Sequence, residues 1–170
     1  MKVVQVSAPR EPFELAERPV PEVAPNEVLL RVEACGICHG DALAKDGGFV
    51  GTQYPRVPGH EIVGRVVKRG ENVDAWEVGA RVGVGWHGGH CGKCTACRRG
   101  QFGACAEALT TGLSTDGGYA EFTTARADVA IALPDDVPAA SLAPLLCAGN
   151  TTFSAILELT RYRGHLRTDA

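Results

Sequence analysis

Long hydrophobic runs are missing from this sequence. No stretch approaches the ~18 apolar residues that a membrane-spanning helix needs, and Met1-Lys2-Val3 opens no signal peptide. A surplus of one charge is missing too, since 17 basic against 20 acidic residues leave a net charge of −3. That balance excludes a dedicated nucleic-acid binder and a polybasic membrane-surface protein. Together these absences lead to the expectation of a cytoplasmic protein. Glycine and proline, by contrast, are plentiful, at 21 and 10 of the 170 residues, where ~12% is usual. So many chain breakers favour a turn-rich β protein over a helical bundle. A chain of this length fits one domain and buries roughly 70% of its unfolded surface, so it folds without staples.

Apolar or alternating segments predict strands over 1–6, 13–17, 27–34, 61–67, 80–86, 118–124 and 129–133. A short helix is expected from Asp41 to Asp46, stopped by Gly47-Gly48. After Pro138 the pattern turns Ala- and Leu-rich, with Phe153, Ile156, Leu157 and Thr160 at helical spacing, which predicts helix over 139–160. The fold class is therefore mainly β (α+β), a β-rich body followed by helices. The polar, basic stretch at the end reads as a frayed tail over 158–170.

The seven cysteines, with no secretion signal, point to metal binding or chemistry rather than to a disulfide framework. Cys91, Cys94, Cys97 and Cys105 form C-x2-C-x2-C-x7-C inside the segment 87–110, which has too few aliphatic residues to build a core of its own. Four soft ligands suit tetrahedral zinc, and a full thiolate shell leaves no open position, so such a site is structural. Lys93, Arg98 and Arg99 place cations beside a tetrathiolate of charge about −2. The start of the pattern is shared with ferredoxin clusters. An iron–sulfur centre and free redox thiols therefore stand as the alternatives, and colour separates them.

Cys35, Cys38, His60 and Cys147 are dispersed, and each alone has a plain reading as a small buried thiol or a hydrogen-bonded histidine. Their context changes this. Gly59-His60-Glu61-Ile62-Val63-Gly64, followed by Gly70 and Val73, matches G-H-E-x2-G-x5-G-x2-V. With Cys35-Gly36-Ile37-Cys38-His39-Gly40-Asp41, the four-cysteine lobe and Cys147-Ala148-Gly149-Asn150-Thr151-Thr152, it resembles the zinc-containing alcohol dehydrogenases of the medium-chain dehydrogenase/reductase family. The resemblance covers residues 1–157, one GroES-like catalytic domain.

The resemblance implies a twisted, partly closed GroES-like β-barrel. It also implies two zinc ions per chain, a structural one on the four-cysteine lobe and a catalytic one on Cys38, His60 and Cys147 with a fourth position open. Glu61 would sit behind the metal, Asp41 would fix the His60 ring, and His39 would meet the pyrophosphate of NAD or NADP. Cys35 remains a packed thiol. The implied reaction oxidises a small-molecule alcohol to an aldehyde or ketone, in a homo-oligomer, with no nucleic-acid or membrane partner. Trp86, Phe49 and Tyr54 stand open between pocket lining and core packing.

Two departures matter. Gly40 stands where many relatives carry a hydroxyl that relays the substrate proton, and Leu43 fills the place of a later histidine. Gly83-Val84-Gly85-Trp86-His87-Gly88 has the G-x-G-x-x-G spacing but no helix follows it, so the expectation is a metal-holding domain without a nucleotide-binding partner domain, inactive by itself. The alternative is a stand-alone zinc-binding module without catalysis.

Overall fold

A computed structural model describes the backbone of residues 1–166 and the side chains through Thr160. The centre is a five-stranded antiparallel sheet of β3 (Glu27–Cys35), β4 (Ile62–Arg69), β5 (Arg81–Val84), β8 (Phe122–Arg126) and β9 (Ile131–Ala132), in the order β8-β3-β4-β5-β9. A ribbon of β1 (Lys2–Gln5) and β2 (Glu14–Glu17) is tied across it by the bridge Val3↔Ala120. A second ribbon pairs β6 (His87–Gly89) with β7 (Leu109–Thr110) at the base of the cysteine lobe. The edge strands β8 and β9 do not pair with each other among the described residues, so the barrel is only partly closed. It is the GroES-like fold that the resemblance implies.

Alternation along the strands gives the sheet two apolar faces. Val28, Leu30, Ile62, Val66, Val82, Val84 and Ala125 form one core, while Val63 on the opposite face packs with Leu142, Ala143 and Leu146. A β-bulge between Val32 and Ala34 changes the parity of β3. Ala34 therefore joins the second core, Cys35 returns to the first, and Glu33 reaches Arg65 at 2.8 Å and Arg81 at 2.7 Å.

Register then places the functional segments. Cys35 pairs with Ile62, and Ile62 pairs with Val84. The chain leaving β3, the chain entering β4 and the chain leaving β5 thus meet at one edge of the sheet. The helix α1 (Asp41–Asp46) follows directly, and stops where Gly47 turns left-handed at φ +73° and Gly48 N–H bonds the Leu43 carbonyl. α2 (Thr95–Arg98) lies in the lobe. α3 (Ala139–Leu142) leads into a 3-10 turn (Ala143–Leu146) and α4 (Ala148–Leu166).

The strand ends differ from the sequence reading in instructive ways. β8 starts at Phe122 rather than near 118, because Gly117, Gly118 and Tyr119 spend their N–H groups on Val57, Gly59 and Pro58 carbonyls. β5 ends at Val84, and the Trp86 carbonyl accepts from Thr111 instead of extending the strand. The helix α4 continues through 158–166, where a frayed end was expected; 167–170 lie outside the described residues. No single described helix is long and apolar enough to cross a membrane.

Candidate metal centres

The lobe brings its four cysteine sulfurs within 4.8 Å of one another. Cys91 Sγ and Cys97 Sγ are 4.0 Å apart, close to the ~3.8 Å edge of a tetrahedron built on 2.3 Å zinc–sulfur bonds. Backbone N–H groups already point at the sulfurs: Cys91 and Glu107 donate to Cys105 Sγ, Cys94 to Cys91 Sγ and Cys97 to Cys94 Sγ, each at 3.4 Å. Donors from Lys93 and Cys94 hold Cys91 down to about 7, whereas burial pushes Cys97 up to about 12. Four thiols this close ionise together only around a cation. The cluster fits zinc.

The second centre gathers Cys38, His60, Glu61 and Cys147, whose ligand atoms also lie within 4.8 Å of one another. Cys38 Sγ and Cys147 Sγ are 3.8 Å apart across 109 positions of sequence. His60 is 1% exposed. Its Nδ1 faces Asp41 Oδ1 at 3.2 Å, but its Nε2 is buried with no partner. A buried imidazole nitrogen left bare beside two sulfurs is what a metal-ligating histidine presents when its other nitrogen is held by a carboxylate.

Asp41 is itself buried at the start of α1, and its carboxylate is crowded with donors. Oδ1 accepts from Gly59 N–H at 3.1 Å as well as facing His60, and Oδ2 accepts from Cys38 N–H at 2.9 Å and from the Tyr119 hydroxyl at 2.7 Å. Burial raises its pKa, yet these bonds outweigh burial and hold it below the ordinary carboxylate value. Burial likewise presses His60 down, and Asp41 with Cys38 more than offsets it, leaving the imidazole above its usual value. The Gly40 N–H lowers Cys38, while burial raises Cys147 to about 11 and Cys35 to about 12. Cys35 is thus a packed thiol, as expected. Burial also raises Glu61.

Glycines make the close approaches possible. A Cβ at Gly36 would lie 1.9 Å from Glu61 Oε2, so the glutamate seats directly on the Gly36 backbone. A Cβ at Gly40 would lie 2.9 Å from Trp86 Cζ3 and 3.0 Å from His60 Cε1. The Trp86 ring stands edge-on to His60 with centroids 4.8 Å apart. Trp86 and Cys147 line a cleft of about 930 Å3 together with Leu146, Asn150 and Thr151, and neither Phe49 nor Tyr54 reaches it. His39 is exposed, at the rim of a separate apolar cavity.

A Cβ at Gly85 would meet the Leu146 carbonyl oxygen at 2.6 Å. Gly85→Ala should therefore push the turn that carries Cys147 away from Cys38 and His60. The expected result is loss of about 1–3 kcal/mol of stability and weaker retention of metal at this centre only. Thermal melting and metal analysis after dialysis against a mild chelator check it.

The structure brings the sequence-predicted Cys38, His60, Glu61 and Cys147 together and sets Asp41 against His60, and it adds Tyr119, which carries no signal beyond an aromatic after two glycines. Sequence reasoning also left the contact of Trp86 with His60 open.

Four cysteines gathered in one lobe and a second cluster of Cys38, His60, Glu61 and Cys147 thus stand on a GroES-like sheet. The family model for the alcohol dehydrogenase GroES-like domain matches residues 24–135, and the chain belongs to that family. An alcohol dehydrogenase (notN) from Aspergillus sp. (strain MF297-2) is 46% identical over 145 residues, covering 85% of this chain and 42% of its own length. A structure of CAD from Helicobacter pylori complexed with NADP(H) superposes with a TM-score of 0.82 at 29% identity, over 91% of this chain and 47% of that one. The cobalt- and zinc-bound thermostable alcohol dehydrogenase from Pyrobaculum aerophilum gives 0.76 at 32% identity, over 84% and 44%. The chain spans less than half the length of each of these proteins.

Proposed function

We propose that this chain is the metal-holding catalytic domain of an NAD(P)-dependent alcohol dehydrogenase that oxidises a small-molecule alcohol to an aldehyde or ketone by hydride transfer, with two zinc ions per chain. The observation that carries the reading is the buried, partnerless His60 Nε2 beside the paired Cys38 and Cys147 sulfurs. Zinc bound there supplies a Lewis acid that eases loss of the alcohol proton. The chain's own residues do the rest. Cys38, His60 and Cys147 would hold the metal. Asp41 keeps the proton on His60 Nδ1, so that Nε2 offers its lone pair. Glu61 sets a carboxylate within 4.8 Å of the other ligand atoms, and Trp86 stands edge-on to His60 at the cleft wall. His39, at an exposed rim, is the residue for the cofactor pyrophosphate. Gly40 and Leu43 stand in the relay positions, and neither side chain carries a group that takes up the substrate proton. Hydride transfer needs the cofactor held against the substrate, so the 170 residues alone are expected to bind zinc and turn over poorly.

The test is metal analysis with a nicotinamide titration. Two zinc ions per chain, falling to one in Cys38→Ser, support the reading, and a single zinc unaffected by Cys38→Ser overturns it. Robust cofactor-dependent turnover by this chain would overturn the expectation of weak activity. Uptake of the second zinc should also release protons. At neutral pH the Cys147 thiol, which burial raises to about 11, is protonated. It must deprotonate to bind. Affinity at this centre should therefore rise with pH through neutrality. Calorimetry in buffers of different ionisation enthalpy checks the proton count.

A further inference from the structure

One partner of the Asp41 carboxylate comes from a remote segment. Gly117, Gly118 and Tyr119 donate their N–H groups to the carbonyls of Val57, Gly59 and Pro58 at 2.7, 2.9 and 3.0 Å. This clamp sets Tyr119 against the residues that immediately precede His60. A Cβ at Gly59, where φ is +97°, would lie 2.7 Å from Tyr119 Cδ1, so the ring rests on the Gly59 backbone. Phe13 packs edge-on against the same ring, with centroids 6.5 Å apart. The hydroxyl that this packing aims at Asp41 Oδ2 makes the shortest hydrogen bond on the carboxylate, at 2.7 Å against 2.9, 3.1 and 3.2 Å for Cys38, Gly59 and His60.

The four donors divide evenly, two to each oxygen. The terminal torsion of an aspartate is broad and roughly two-fold, so bonds to both oxygens are what fix the carboxylate plane. Without the hydroxyl, Oδ2 keeps only the Cys38 N–H. A turn of the plane would then carry Oδ1 away from His60 Nδ1 and swing Nε2 off the Cys38 and Cys147 sulfurs.

We infer that Tyr119 is a positioning residue of the Cys38–His60–Cys147 centre: its hydroxyl locks the plane of Asp41 and, through Asp41, the direction of the His60 ring. The inference rests on the zinc reading of that centre. Tyr119 is not one of the clustered ligand groups, and its role is separate from theirs.

Tyr119→Phe tests it, because the ring and its packing stay and one oxygen goes. The zinc-loaded protein is titrated with a chromogenic chelator. Zinc at Cys38, His60 and Cys147 should be held about tenfold more weakly, as when an outer partner of a ligating histidine is lost. Zinc on the four-cysteine lobe should be released as before. With cobalt at the centre, the visible ligand-field bands should shift, which a loss of general stability would not cause. In an Asp41→Asn background the substitution should cost nothing further. Unchanged chelator competition in Tyr119→Phe overturns the inference, as does an undiminished loss in the Asp41→Asn background. If the unsubstituted protein holds one zinc only and Cys38→Ser leaves it in place, the zinc reading fails and this inference with it.

Discussion

Replacing Cys97 with serine should unfold the segment between residues 87 and 110 and leave the five-stranded sheet standing. Within the loop from Cys91 to Cys105 the only well-buried hydrophobic side chains are Cys97 and Cys105 themselves, and Phe102 is 41% exposed. So little apolar burial cannot offset the entropy of ordering the loop. Zinc bound to the four thiolates would contribute about 10 kcal/mol or more of folding free energy, enough to hold this loop. Serine keeps the volume and loses the thiolate. The expected outcome is one zinc fewer per chain and rapid tryptic cleavage after Lys93, Arg98 or Arg99, all exposed. The unsubstituted protein should resist the same digestion until its zinc is stripped. A Cys97→Ser protein with unchanged zinc content and protease resistance would refute the assignment of this lobe.

Asp41→Ala should be the most damaging single change at the other centre, although Asp41 is not a ligand. It removes the acceptor of two backbone N–H groups, a tyrosine hydroxyl and an imidazole at once. Buried donors without partners cost about 1–3 kcal/mol each. With partial hydration of the gap, a loss of about 3 kcal/mol or more follows. Zinc retention at Cys38, His60 and Cys147 should fall 10- to 100-fold, because His60 loses the group that fixes its ring and tautomer. The linkage also has a sign. In the metal-free protein the folded Asp41 value is depressed, so its stabilisation is present above the unfolded carboxylate value and lost as pH falls through the folded one. For His60, raised when folded, the stabilisation is full below the unfolded imidazole value and lost as pH rises through the folded one. The zinc-free protein should therefore be most stable between these limits, and Asp41→Ala should flatten that profile. Denaturant melts across pH read both effects.

Much of this was legible in the residues. Gly47-Gly48 stops α1 where expected, and the branched run from Val28 to Val32 forms β3, an interior strand of the sheet. The candidate metal-binding clusters were readable because thiolates and imidazole at such spacings have few other uses. The tyrosine was not, since its role depends on a contact across 78 positions that no local pattern encodes. The start of β8 was misjudged for a similar reason: the N–H groups of 117–119 are claimed by residues 57–59, and a strand pattern cannot register a remote claimant. The pairing of β6 with β7 was missed because His87–Gly89 lacks the branched residues that mark a strand.

The spacing of the two ligand sets has a consequence for how the protein comes to exist. The four cysteines of the lobe lie within 15 residues, so a nascent chain can close them around an ion at small entropic cost. The other set joins Cys38 to Cys147 across 109 positions and needs β3, β4 and β5 already in register. Long-range antiparallel pairing is slow relative to local closure. Metal capture should thus run in a fixed order during folding, with the lobe loaded first. Acquisition of the second ion would then mark completion of the sheet, so that a slipped register yields a chain holding one zinc and no site for a substrate.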